Sequence, residues 1–121
     1  MKSFQDLDVW KKSRVFRKEI SILARRLPKE EKYRLADQMI RSSRSITSNI
    51  AEGYGRFHYQ ENIQYSRQSR GSMEETMDHL ITALDEGFID KERLEELEKL
   101  CTRCIRLING YITYLRKSKN G

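Results

Sequence analysis

One seam near the C-terminal end restricts this chain more than any other feature. Leu94, Leu97, Cys101, Cys104, Ile108, Tyr111 and Leu115 alternate spacings of three and four without a break. Residues so spaced fall on one narrow stripe of an α-helix, and a stripe sustained over three heptads needs other helices to cover it. The pattern predicts a helix over about 90–116, with Asp90 as its N-cap after the Gly87-Phe88-Ile89 turn.

The partners that cover this seam lie upstream. Val9, Ser13, Phe16, Ile20, Leu23 and Leu27 predict a helix over about 7–27, ended by Pro28, the only proline. Leu35, Ala36, Met39, Ile40, Ser43, Ile46, Thr47 and Ile50 predict a second over about 30–53, with Glu30 and Glu31 in the first turn and Gly53-Tyr54-Gly55 as its glycine stop. Tyr59, Ile63, Met73, Met77, Leu80 and Leu84 predict a third over about 59–85. Ser66, Ser69, Gly71 and Ser72 interrupt it, and helix two carries matching small residues, so the two middles are expected to pack closely, with Gly71 at the contact. Four helices with short connections over 1–121 imply a single all-α domain, an antiparallel up-down four-helix bundle. Apolar residues left beside the main stripes (Trp10, Val15 and Ile22 on helix one; Leu100, Ile105, Leu107, Ile112 and Tyr114 on helix four) predict a homo-oligomer.

No stretch approaches the roughly 20 apolar residues of a membrane span, and the N-terminus has no secretory pattern, which predicts a cytoplasmic protein. Catalytic machinery is not visible. Cys101-Thr-Arg-Cys104 lies on the apolar seam, without two further zinc ligands or the strand-to-helix context of a redox pair, so both thiols are expected in the core. Glu75, Asp78 and His79 fall short of the paired Glu-x-x-His motifs of a di-metal bundle, and the only other histidine is His58. Gly53-Tyr54-Gly55-Arg56 lacks the strand, lysine and hydroxyl of a phosphate loop. The expectation is no enzyme, no metal and no cofactor.

Charge is more informative. The net charge is +6, and residues 1–72 hold 16 basic against 8 acidic side chains, so the surplus belongs to the first three helices. Arg41 and Arg44 on helix two and Arg67 and Arg70 on helix three are each three apart; with a turn at 55 and 56, Arg44 would lie level with Arg67 and Arg41 with Arg70, beside Arg56 at the turn. Lys11, Arg14, Lys18 and Arg25 form another stripe on helix one. Such stripes often belong to a merely solvated face. Two of them, together with the surplus, favour contact with a polyanion, RNA or DNA, through phosphates and without sequence readout.

Three segments, Phe4-Gln-Asp-Leu-Asp-Val-Trp10, Ser45-Ile-Thr-Ser-Asn-Ile-Ala-Glu-Gly-Tyr-Gly-Arg56 and Ser69-Arg-Gly-Ser-Met-Glu-Glu75, give the chain a further reading. It resembles the four-helix-bundle proteins encoded in intervening sequences of bacterial 23S ribosomal RNA genes. Thr47 stands where proline is frequent in that family, and Phe57-His58-Tyr59 lacks the usual Ser or Thr cap. The resemblance implies a homopentameric barrel with a basic central channel and no enzymatic activity, with RNA favoured over DNA as ligand. It also implies kinship to accessory variability determinant proteins, which partner reverse transcriptases in diversity-generating retroelements. In its light Asn49, Glu52, Gly53, Gly71 and Ser72 are expected as packing and hydrogen-bonding fixtures of the hairpin. A protein-interaction adaptor for a reverse transcriptase is the competing expectation.

Overall fold

The computed structural model describes residues 3–120 and contains four α-helices: α1 (Asp8–Arg25), α2 (Leu35–Gly55), α3 (Tyr59–Asp85) and α4 (Lys91–Asn120). Short 3-10 turns occupy Phe4–Asp6 and Lys29–Glu31, and no strand occurs among the described residues. Each helix packs antiparallel on the next, and α4 closes the bundle against α1. The α4 seam fills the centre: Leu97, Cys101, Cys104 and Ile108 are buried with Phe16 and Ile20 of α1, Met39, Ile46 and Ile50 of α2, and Met73 and Leu80 of α3.

Local chemistry sets the helix ends. The Ser3 hydroxyl accepts the Gln5 N–H (2.9 Å) while the Asp6 carboxylate accepts the Ser3 N–H (3.2 Å), a reciprocal cap ahead of α1. Asp90 Oδ1 accepts the Arg93 N–H at 2.8 Å and starts α4 as expected. Helix α2 begins five residues later than its acidic first turn predicted. Lys29–Glu31 winds as a 3-10 turn, and Glu31 then reaches forward so that its carboxylate accepts the Leu35 N–H at 3.2 Å. The acid thus caps the helix from outside it.

The other end of α2 overturns a second expectation. Gly53 does not stop the helix, which runs on to Gly55; the left-handed residue is Phe57 (φ 54°), which is 88% exposed. Gly53 is buried inside α2, where a Cβ would stand 2.8 Å from both Asn62 Oδ1 and Tyr65 Cβ of α3. Its lack of a side chain serves close approach rather than a turn. The opposite holds for Gly71, which was expected at the contact: it is exposed, and no atom would lie within 4 Å of an added Cβ. At 100° per residue Gly71 falls outside the arc spanned by its neighbours Ser69 and Ser72, both of which bond to α2.

Hydroxyl groups complete the α2–α3 contact. Ser42 and Thr76 share a hydrogen bond of 2.7 Å, Ser69 donates to the Ile46 carbonyl (2.8 Å), and Ser72 donates to Ser45 (2.9 Å). Each contributes about 0.5–1.5 kcal/mol net, whereas a buried hydroxyl left alone costs about 1–3 kcal/mol. These bonds set Ser45 opposite Ser72 and Ile46 opposite Ser69, so Arg44 lies level with about residue 72 and not with Arg67.

Of the apolar residues left over by the sequence pattern, Ile112 is buried and belongs to the core. Trp10, Leu100, Ile105 and Leu107 are half-buried against it, and Val15, Ile22 and Tyr114 are exposed.

The two glycines separate close packing from helix propensity. Gly53→Ala should lower stability by about 1–3 kcal/mol through overpacking, while Gly71→Ala should raise it by up to about 1 kcal/mol. Urea midpoints of the two variants check both signs.

Candidate nucleic-acid interface

Two polar contacts orient α1. Arg17 Nη1 donates to Thr47 Oγ1 of α2 at 2.8 Å, and Glu19 pairs with Arg93 of α4 at 2.9 Å, with Glu96 held by the same guanidinium at 3.0 Å. One flank of α1 therefore faces α2 and the other faces α4. Along the α2 flank runs a groove containing a cavity of about 390 Å³ lined by Arg17, Lys18, Ser21, Ile40, Ser43 and Arg44. The lining holds three cations and two hydroxyls without a carboxylate. Lys18 and Arg44 have no ion-pair partner among the described residues.

The groove continues in both directions. Toward the start of α1, the Arg14 guanidinium lies 5.7 Å from the centre of the Trp10 ring, which packs edge-on against Phe4. Toward its end, Arg25, Lys29 and Lys32 line a neighbouring hollow together with Asp37. Lys11 is exposed. Arg17 was not singled out from the sequence; it falls outside the spacing of the exposed stripe because it sits on the flank, at the edge of the core. Its adjacency to Lys18, one residue from the stripe, is the only signal that pointed there.

The four arginines expected as one band are distributed over different faces. Arg44 turns toward α1. Arg41 is paired with Asp37 at 3.0 Å and is 80% exposed. Arg70 donates to Asn109 Oδ1 of α4 at 2.7 Å, on the side of α3 away from α2, and Arg67 is exposed. Arg56 is committed at the turn: it bonds Glu52 (3.1 Å) and the Tyr65 hydroxyl (2.7 Å), lies near Glu61 (3.9 Å), and stacks over the Tyr65 ring at 5.1 Å.

The hairpin fixtures do their bonding locally. Asn49 Nδ2 donates to the Ser45 carbonyl and hydroxyl, both at 2.9 Å, and Glu52 also accepts the Tyr65 O–H at 3.4 Å. With Gly53 and Ser72 they tie α2 to its own surface and to α3.

Cys101 and Cys104 are free thiols buried in the core, and Cys101 donates to the Met73 carbonyl at 3.5 Å. Burial pushes the Cys101 thiol from 9.0 up to about 12, aided by Cys104, Glu74 and Glu98. His79 Nε2 lies 3.1 Å from Glu75 Oε2, and no three His, Cys, Asp or Glu side chains converge on a metal-binding geometry among the described residues.

A family model described as 23S rRNA-intervening sequence protein matches residues 5–110. A similar solved structure is the crystal structure of a protein with unknown function from the S23 ribosomal protein family of Bacteroides thetaiotaomicron; it is 26% identical, with a TM-score of 0.79, over 86% of this chain and 97% of that one. No curated protein matches.

The thiols give a pH signature. An unfolded thiol ionises near 9.0 while the folded Cys101 resists ionisation to about 12, so its contribution is complete below pH 9 and is lost as pH rises toward 12. Urea midpoints should fall between pH 8 and pH 10.5, and fall less in Cys101→Ala.

Proposed function

The chain belongs to the 23S rRNA-intervening sequence protein family, and we propose that it is a non-enzymatic, homo-oligomeric nucleic-acid-binding protein, RNA before DNA, that holds phosphates along the α1–α2 groove. The observation that carries this reading is the acid-free cavity between Arg17, Lys18 and Arg44. Phosphate neutralisation by Lys and Arg dominates nucleic-acid affinity, and the Ser21 hydroxyl adds a hydrogen-bond donor for phosphate oxygens. Arg17 is already oriented by Thr47, which reduces the ordering cost of a bidentate contact. Nothing in the groove presents an array for reading base edges, so binding is sequence-tolerant.

The assembly proposed is the homopentamer of the family resemblance, acting in the cytoplasm. Exposed Val15 and Ile22 on α1, with half-buried Leu100 and Leu107 on α4, support self-association. The same apolar strip supports a second reading, an adaptor that docks a nucleic-acid enzyme such as a reverse transcriptase. No helix among the described residues is long and apolar enough to cross a membrane.

Fluorescence anisotropy with a structured RNA at stepped salt tests the binding. Wild-type affinity should fall steeply with salt, and Lys18→Glu with Arg44→Glu should weaken it and flatten the log–log salt slope by about 0.7–0.9 per lost phosphate contact. Arg67→Glu, on another face, should change affinity far less. Salt-independent binding, or equal losses from all three sites, would rule the groove out. Light-scattering mass should equal five chains.

A further inference from the structure

At the end of the bundle where α1 begins and α4 ends, a hollow of about 300 Å³ is walled by Tyr54, Phe57, Tyr59, Tyr111 and Tyr114, with Asn62 at its floor. This is an aromatic cup with no carboxylate, lysine or arginine in its wall. Its rings are not all committed to the core. Phe57 stands in the left-handed region on an exposed turn, Tyr114 is 62% exposed, and Tyr59 is 47% exposed. Tyr111 and Tyr114 lie nearly parallel (13°), their centroids 6.3 Å apart. A bulky side chain at positive φ is a costly outlier, and at an exposed tip such strain clusters with function.

The polar groups of the cup point to the chemistry of its occupant. Asn62 Nδ2 donates to the Tyr111 hydroxyl at 2.9 Å, which leaves the phenolic proton of Tyr111 available to an acceptor. The hydroxyls of Tyr54, Tyr59 and Tyr114 have no hydrogen-bond partner among the described residues. Flat apolar faces ringed by hydroxyl donors and acceptors suit a planar heterocycle that carries its own donors and acceptors at the edge. The cup lies farther along the same two helices that form the basic groove. Tyr54 lies seven residues beyond Thr47, on the same face of α2, and Leu7 in the cup wall lies ten residues before Arg17. At 1.5 Å per residue the cup and the cations are roughly 15 Å apart along the bundle.

We propose that the aromatic cup takes one unstacked nucleobase of a single strand whose phosphates follow the α1–α2 groove. The inference rests on the nucleic-acid reading above and goes beyond it, because it specifies single-stranded over double-stranded ligands. Bases in a duplex keep their faces stacked and cannot enter the cup, whereas a single strand offers every base.

The test uses a single-stranded oligonucleotide carrying 2-aminopurine, the same strand annealed to its complement, and free 2-aminopurine riboside. The single strand should bind more tightly than the duplex, with the probe quenched by stacking. Tyr59→Ala with Tyr114→Ala should abolish the quench and weaken single-strand binding roughly tenfold, leaving duplex binding unchanged; Tyr114→Phe, which keeps the ring, should retain both. Circular dichroism of the variants verifies the fold, and both substituted side chains are substantially exposed. Salt-dependent binding with no quench, or with no loss in the double variant, would overturn the cup and leave the groove standing. Loss of all strand binding from wild type would overturn the groove and the cup together, and quenching of the riboside without strand binding would replace the strand with a free nucleoside.

Discussion

Where α2 passes α3, the site of the missing Cβ of Gly53 is 2.8 Å from Asn62 Oδ1 and from Tyr65 Cβ, and just beyond it the hydroxyls of Ser45, Ser69, Ser72, Ser42 and Thr76 interlock. An apolar interface tolerates some sliding, because one methyl packs nearly as well as another. This one does not. A slip of one residue would break three hydrogen bonds, leave buried hydroxyls unpaired at about 1–3 kcal/mol each, and drive a side chain into the space that only glycine vacates. The contact gives up some burial of large apolar groups and gains a single register.

That register decides which cations can act together. A turn centred at 55 and 56 would have aligned Arg44 with Arg67; the observed pairing moves the centre of the hairpin toward 58 and leaves Arg44 beside Ser72. Rotation matters as much as level. Ser72 and Tyr65 face α2, so Arg70, on the opposite flank of α3, reaches Asn109 of α4 instead. The arginines of α3 are thereby separated from those of α2, and Arg44 finds its cationic neighbours on α1, in Arg17 and Lys18. A basic groove in one place is the result of a serine ladder in another.

The legible parts of this fold were those in which one physical term dominates. The α4 seam, the limits of α3 and the Asp90 cap each follow from periodicity or from one hydrogen bond. The illegible parts were those in which the same residue type serves opposing needs. Glycine ends helices and also admits close neighbours; at Gly53 the second role holds, at Gly71 neither does, and Phe57 takes the left-handed conformation that glycine usually occupies. Glu31 reads as a first-turn acid and instead caps Leu35 from a separate 3-10 turn. Arg17 was invisible because flank positions carry neither the apolar signature of a core nor the regular spacing of a solvated stripe. The aromatic cup drew one ring from α2, one from the turn, one from α3 and two from α4, a convergence that depends wholly on tertiary structure.

The two proposed sites would differ in what they discriminate, and this difference would make their proximity meaningful. Phosphate contacts along the proposed α1–α2 groove would sense charge density, which single and double strands both supply; such a site alone would give affinity that fades with salt and little choice of ligand. Ring faces sense whether a base is free to leave its stack, and their contribution is far less sensitive to ionic strength. With about 15 Å between them, one strand would engage both, and the second contact would become intramolecular once the first was made. Repetition around an oligomer would multiply the electrostatic term for any nucleic acid, while the aromatic term would grow only for ligands with several unpaired bases. Such an oligomer would then select folded RNA with exposed loops over plain duplex without reading a sequence.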